Sequence, residues 1–197
     1  MRKGATQKGV FCLEGEWTRD LRDGTTVEHL LRLLASAEHL PYVYRRVGTQ
    51  ADLRYYLRRW ASYTSFGVLY LGFHGRRGGL RVPSDGEEDA LFSLDELAEV
   101  LGDSCAGRVV HFGSCETLRR ADGALDAFLE RTGLLAISGF QRPVVWSLNA
   151  AFELLLLARM QDYELSRRGL RALERRLRRD AEGLAAHWTL RVRAGSA

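Results

Sequence analysis

The chain has 197 residues, of which 46% are apolar, 10% aromatic and 27% charged, a composition that fits one globular domain over residues 1–197 and excludes a disordered or fibrous chain. No apolar run approaches the roughly 20 residues of a membrane span. The basic start "MRKGATQKGVFCLEGEW" has no continuous apolar stretch behind it, so neither membrane anchor nor signal peptide is expected.

A short apolar strand is expected at 10–13. "TTVEHLLRLLASAEHL" follows as a helix, with Thr25 and Glu28 spaced as a capping box. "YVYRRVG" reads as a second strand. "TQADLRYYLRRWASY" reads as a second helix, with Thr49 and Asp52 in the same arrangement. "FGVLYLGFHG" is the most apolar strand. Residues 75–92 read as a Gly-rich, acidic and mobile loop before the helix "SLDELAEVLG", where Ser93 and Glu96 repeat the cap and Gly102 fits the stop. "RVVHFGSCE" is a fourth strand, "DGALDAFLERTG" a helix and "LLAIS" a fifth strand. "WSLNAAFELLLLARM" is apolar enough to demand burial. In "SRRGLRALERRLRRD", Leu170, Leu173 and Leu177 recur at helical spacing with arginine on the other faces, so an amphipathic helix is predicted. "HWTLRVR" closes as a sixth strand. Strands alternating with helices of this length predict an α/β fold: three αβα layers around a largely parallel six-stranded sheet.

Two strand ends carry chemistry. "LYLGFHG" delivers His74 and Gly75, and "VVHFGSC" delivers Cys115. If these strands are parallel neighbours, their ends lie about 5 Å apart, within reach of a His–Cys dyad. A thiol with an ordinary pKa near 8.5 is mostly protonated at neutral pH, and an adjacent imidazole stabilises the reactive thiolate. Without a side chain, Gly75 lets its backbone N–H approach a substrate and form an oxyanion hole with the N–H of Cys115.

These residues resemble a family. "FHG" after one hydrophobic strand and "GSCE" about forty residues later after another are similar to the caspase-type cysteine peptidases, in particular their bacterial CHAT-like relatives. The element order is similar from residue 9 to 193, and the sequence departs from the pattern at Phe73 and at Gly113-Ser114. The resemblance implies a caspase-like fold and a cysteine endopeptidase with His74 as base and acid and Cys115 as nucleophile. It also implies a separate activating or regulatory protein in a bacterial defence or signalling system, and a cleft lined by the segment after the fifth strand, where Gln141, Arg142 and Trp146 are candidates. Caspases place an arginine in the loop after the first strand to receive aspartate. Here that loop is "CLEGEW", so Glu14 or Glu16 is expected to receive an Arg or Lys side chain, with Arg142 as the opposing feature. The acidic loop "SDGEEDALF" is a candidate activation loop or self-cleavage site.

Other residues have plainer readings. His111, four residues before Cys115 in the same strand, lies about 13 Å from it when extended and is expected to make a structural hydrogen bond. Cys12 and Cys105 are expected to be structural. Three widely spaced cysteines argue against a disulfide framework, and a reducing cytoplasm is the expected location. No Cys/His spacing suits a metal and no Gly-rich turn cradles phosphate, so no metal or cofactor is expected. The alternatives are a catalytically inactive caspase-like interaction module and a basic adaptor that binds nucleic acid through residues 166–179. The latter is disfavoured because no aromatic residues interleave with the arginines and acidic Glu174 and Asp180 interrupt them.

Overall fold

Strands covered on both faces read as near-continuous apolar runs, and four of this chain's strands have that form. The computed structural model describes residues 8–20, 22–83 and 89–195. In chain order it places β1 (Val10–Glu14), α1 (Glu28–Glu38), β2 (Tyr42–Arg46), α2 (Gln50–Ser62), β3 (Val68–Gly72), β4 (His74–Arg76), β5 (Gly79–Val82), β6 (Ala90–Ser93) and α3 (Leu94–Leu101). Then come β7 (Val109–Phe112), α4 (Asp122–Thr132), β8 (Ala136–Phe140), α5 (Trp146–Gln161), α6 (Arg167–Asp180), a 3₁₀ turn (Leu184–His187) and β9 (Trp188–Val192). Every residue of β1, β3, β7 and β8 is buried.

The main sheet has the order β2-β1-β3-β7-β8-β9. All pairs are parallel except β8 with β9. It is therefore a mixed, mostly parallel six-stranded sheet, as the alternation of elements predicts. Successive strand residues point to opposite faces. Phe11, Leu13, Leu69, Leu71, Val110 and Phe112 pack with α2, α3 and α4. Val10, Cys12, Val68, Tyr70 and Val109 pack with α1, α5 and α6. The chain leaves β1 for β2 on one side and returns to β3 on the other, so the strand order reverses between β1 and β3. In open α/β sheets the crevice at the carboxyl ends of the strands beside such a reversal is where ligands bind. The residues after β1, β3 and β7 gather there.

Two expectations are corrected. The stretch 75–92 is not a plain loop: β4, β5 and β6 form a separate antiparallel sheet, which folds the chain after His74 back on itself. The Ser84–Glu88 portion of the acidic activation-loop candidate lies outside the described residues. The second correction concerns α1, which has no Thr25–Glu28 capping box. Its N-cap residue is Val27, without a side-chain cap, and the Val27 N–H donates to Glu14 of β1 at 2.7 Å. A carboxylate from the sheet takes the Val27 N–H and Thr26 Oγ1 accepts from the Glu28 N–H at 3.1 Å, so the helix start is satisfied without a Thr25–Glu28 box. Ser93 completes the expected capping box with Glu96, whereas Thr49 forms half of its box, accepting from the Asp52 N–H without the reciprocal bond to its own N–H.

Candidate functional site

β3 and β7 are parallel neighbours, with Leu71 opposite Phe112, so the chain segments bearing His74 and Cys115 leave the same edge of the sheet. A Cβ built on Gly75 would fall 1.9 Å from the Cys115 carbonyl oxygen and 2.6 Å from Thr117 Oγ1. The two backbones therefore meet at Gly75, and only glycine fits there. The hairpin of β4 and β5 is also tied to the Cys115 turn by the Gly78 N–H to Thr117 O bond at 3.2 Å. Thr117 Oγ1 bonds Gly79 O at 3.2 Å and Ser114 Oγ at 2.7 Å. Glu116 adopts φ +57°, a left-handed conformation that costs a non-glycine residue energy and is held here by the bonds on either side.

His74 is exposed, and its Nε2 lies 2.7 Å from the Trp17 carbonyl oxygen. A carbonyl only accepts, so Nε2 carries the proton and donates it. In the neutral ring Nδ1 then keeps its lone pair, the form a general base requires. The Trp17 ring packs edge-on against the imidazole at 5.4 Å between centroids. Cys115 is part-buried, and its Sγ accepts from the Val144 N–H at 3.5 Å. Cys12 and Cys105 are fully buried. Burial pushes both thiols up, and for Cys12 the Glu14 and Glu153 carboxylates add to the effect. Of the three, only Cys115 is reachable from solvent without unfolding.

Glu14 is not a pocket residue. It is fully buried and accepts from the Trp17 indole N–H at 2.5 Å, Thr26 Oγ1 at 2.6 Å, the Val27 N–H at 2.7 Å and the Tyr44 hydroxyl. With both oxygens doubly engaged, no lone pair faces a substrate. The strand pattern could not show this, because β1 ends at Glu14 and its four donors come from three other places in the chain. Through the indole bond, Glu14 holds the residue whose carbonyl orients His74.

Glu16, two residues on, is exposed. It lines a cavity of about 440 Å³ together with Trp17, Arg19, His74, Arg81 and Asp89. Gln141 lies elsewhere, in a separate cavity of about 510 Å³ over the edge strand β9, beside Arg167, Arg171 and Arg191. Arg142 is exposed on the loop that carries Val144. Val145, Trp146 and Leu148 form an exposed apolar ledge at the start of α5. On α6, Leu170, Leu173 and Leu177 are buried as the spacing predicts. Several of its arginines are paired with acids, Arg171 and Arg178 with Glu174 and Arg176 with Asp180, which weakens the basic face as a nucleic-acid surface.

His111 makes the structural bonds expected of it, but within a larger network. Nδ1 lies 2.8 Å from Ser138 Oγ and Nε2 3.1 Å from Glu153 Oε1, while the Tyr70 hydroxyl donates to Glu153 Oε2 at 2.5 Å. Burial and the Glu153 carboxylate push the Tyr70 phenol well up. Tyr70, Ser138, Glu153, Trp17 and Val144 are absent from the sequence-based site. The available signal was a lone carboxylate within the apolar run "AFELLLLARM" and a lone histidine in an apolar strand. Among the described residues no group of three or more His, Cys, Asp or Glu side chains is arranged to hold a metal ion, and no helix is long and apolar enough to cross a membrane.

The chain belongs to a family described as "Family of unknown function (DUF6642)", whose model matches residues 7–167. The match runs from before β1 to the start of α6 and so contains His74, Cys115 and every side chain that braces them. No curated protein matches the chain.

Proposed function

We propose that the protein is a cysteine endopeptidase with a caspase-like fold, in which Cys115 is the nucleophile and His74 the general base and acid. The observation that carries this reading is the contact at Gly75, which brings the His74 strand end against the Cys115 turn at the switch point of the sheet. Nδ1 of His74 takes the Cys115 thiol proton, and the thiolate attacks the peptide carbonyl, forming an S–C bond while the C=O electron pair moves onto oxygen. The N–H groups of Gly75 and Cys115 are the expected donors to that oxyanion. His74 then protonates the amine as the C–N bond breaks, leaving a thioester. Water, deprotonated at Nδ1 of His74, attacks the thioester and releases Cys115. The exposed ledge of Val145, Trp146 and Leu148 would receive apolar substrate side chains beside the thiol.

With Glu14 engaged internally, the proposed recognition of Arg or Lys passes to Glu16, which shares its cavity with His74. A regulatory partner in a bacterial system and a cytoplasmic location belong to the same reading.

The test is labelling with a thiol-reactive peptide electrophile at near-neutral pH, with the site located by mass spectrometry. Modification of Cys115 ahead of Cys12 and Cys105, lost in His74→Ala, supports the dyad. Equal labelling in wild type and His74→Ala would leave an interaction module as the better reading. Peptides varied at the residue before the scissile bond then test Glu16: a basic preference that Glu16→Gln abolishes is expected, and one that survives removes Glu16 from the pocket.

A further inference from the structure

Cys12, Tyr70, His111 and Ser138 stand in one register across four adjacent strands, β1, β3, β7 and β8. Glu153 reaches this row from α5 and bonds its two central members. Tyr70, His111, Ser138 and Glu153 are each no more than 1% exposed, in a layer that is otherwise largely apolar. Replacing such a buried polar set by apolar side chains of similar size is often neutral or stabilising. Stability alone therefore does not account for the row, whereas its position does. A Cβ on Gly113 would fall 2.3 Å from the Tyr70 hydroxyl oxygen and 2.9 Å from Glu153 Oε1. The backbone leaving β7 rests directly on the network, two residues before Cys115. The same helix that carries Glu153 is entered through the loop whose Val144 N–H meets Cys115 Sγ.

We infer that Glu153 is a positioning residue for the Cys115 turn. Its bonds to Tyr70 and His111 clamp α5 to β3 and β7, which sets the turn from below and the Val144 N–H from the side. This rests on Cys115 being the nucleophile, but the clamp itself is measurable without any substrate.

The test compares Glu153→Gln, Glu153→Leu and Tyr70→Phe in the full chain by three readouts: iodoacetamide alkylation of Cys115, amide hydrogen exchange over 109–117 and 141–148, and thermal melting. The side-chain amide of Glu153→Gln can restore the network, its carbonyl accepting from Tyr70 and its NH₂ donating to His111 Nε2, with His111 then donating from Nδ1 to Ser138. Glu153→Leu should slow Cys115 alkylation about tenfold and speed exchange in both segments, and Tyr70→Phe about threefold in the same direction. Glu153→Gln should stay within about twofold of wild type on both readouts. Lower melting with alkylation and exchange unchanged would make Glu153 merely structural and overturn the inference. Glu153→Gln as impaired as Glu153→Leu would also overturn it. If Glu153→Leu does not fold, unaltered exchange in Tyr70→Phe overturns it. A wild-type Cys115 no more reactive than Cys12 and Cys105 would sink the nucleophile reading instead, while the exchange data still decide the clamp.

Discussion

The two faces of the sheet are built differently. The layer of α2, α3 and α4 meets the sheet through apolar side chains. A polar group enters at its margin, where Arg108 donates to the carbonyls of Trp60 and Ala61 at the end of α2, at 2.9 and 3.0 Å. The opposite layer, α1, α5 and α6, holds both carboxylates that are buried among the described residues. Glu14 ends β1 and Glu153 reaches over β3 and β7. Each lies under a chain segment that carries a candidate catalytic group, Glu14 beneath Trp17 and so His74, Glu153 beneath Gly113 and so Cys115. Apolar packing is strong but non-directional. Hydrogen bonds to a buried carboxylate are directional and costly to leave unmade. The first face thus supplies stability and the second supplies geometry.

The largest expected effect lies on the apolar face. Trp60 is fully buried, and its indole N–H donates to Phe66 O at 2.9 Å. Trp60→Ala should cost about 3–5 kcal/mol by urea unfolding, with Cys115 alkylation unchanged where the variant is folded. An altered rate would show that the two faces are not separable.

Next comes Glu14→Ala, which leaves the Trp17 indole, Thr26, Tyr44 and the Val27 N–H without their acceptor. A loss of about 2–3 kcal/mol is expected, together with loss of any peptide cleavage, since the Trp17 carbonyl no longer holds His74. Retained cleavage in a folded variant would break the link between Glu14 and His74.

The smallest effect is the response to alkali. Burial, and then the hydrogen bond to Glu14, push the half-buried Tyr44 phenol up to about 12, and burial and Glu153 push Tyr70 up as well. The folded chain keeps protons that the unfolded chain releases near the ordinary value of about 10, so this contribution is complete below pH ~10 and falls as pH rises through the folded values. Urea midpoints between pH 8 and 12 should decline, less steeply in Tyr44→Phe and Tyr70→Phe. Solvent screening makes the Tyr44 share the smaller one. Equal slopes in wild type and both variants would place the decline elsewhere.

Local pattern was enough to read the strands, the helices, the apolar stripe of α6 and the two strand ends carrying His74 and Cys115, because period and strand-end position are properties of neighbouring residues. It was not enough for Glu14, which reads as a pocket carboxylate for a basic side chain, or for the stretch after His74, whose short strands pair only with one another. Nor could it show why glycine stands at 113, since the Tyr70 hydroxyl lies there only once β3 and β7 are aligned. The bonds that decide these points join residues far apart in sequence, Glu14 with Tyr44, His111 with Glu153 and Tyr70 with Glu153, separated by 30, 42 and 83 positions. Which faces are buried is written along the chain, but which polar atoms meet inside depends on sheet register and on where α5 is laid across it, and only the tertiary structure sets those.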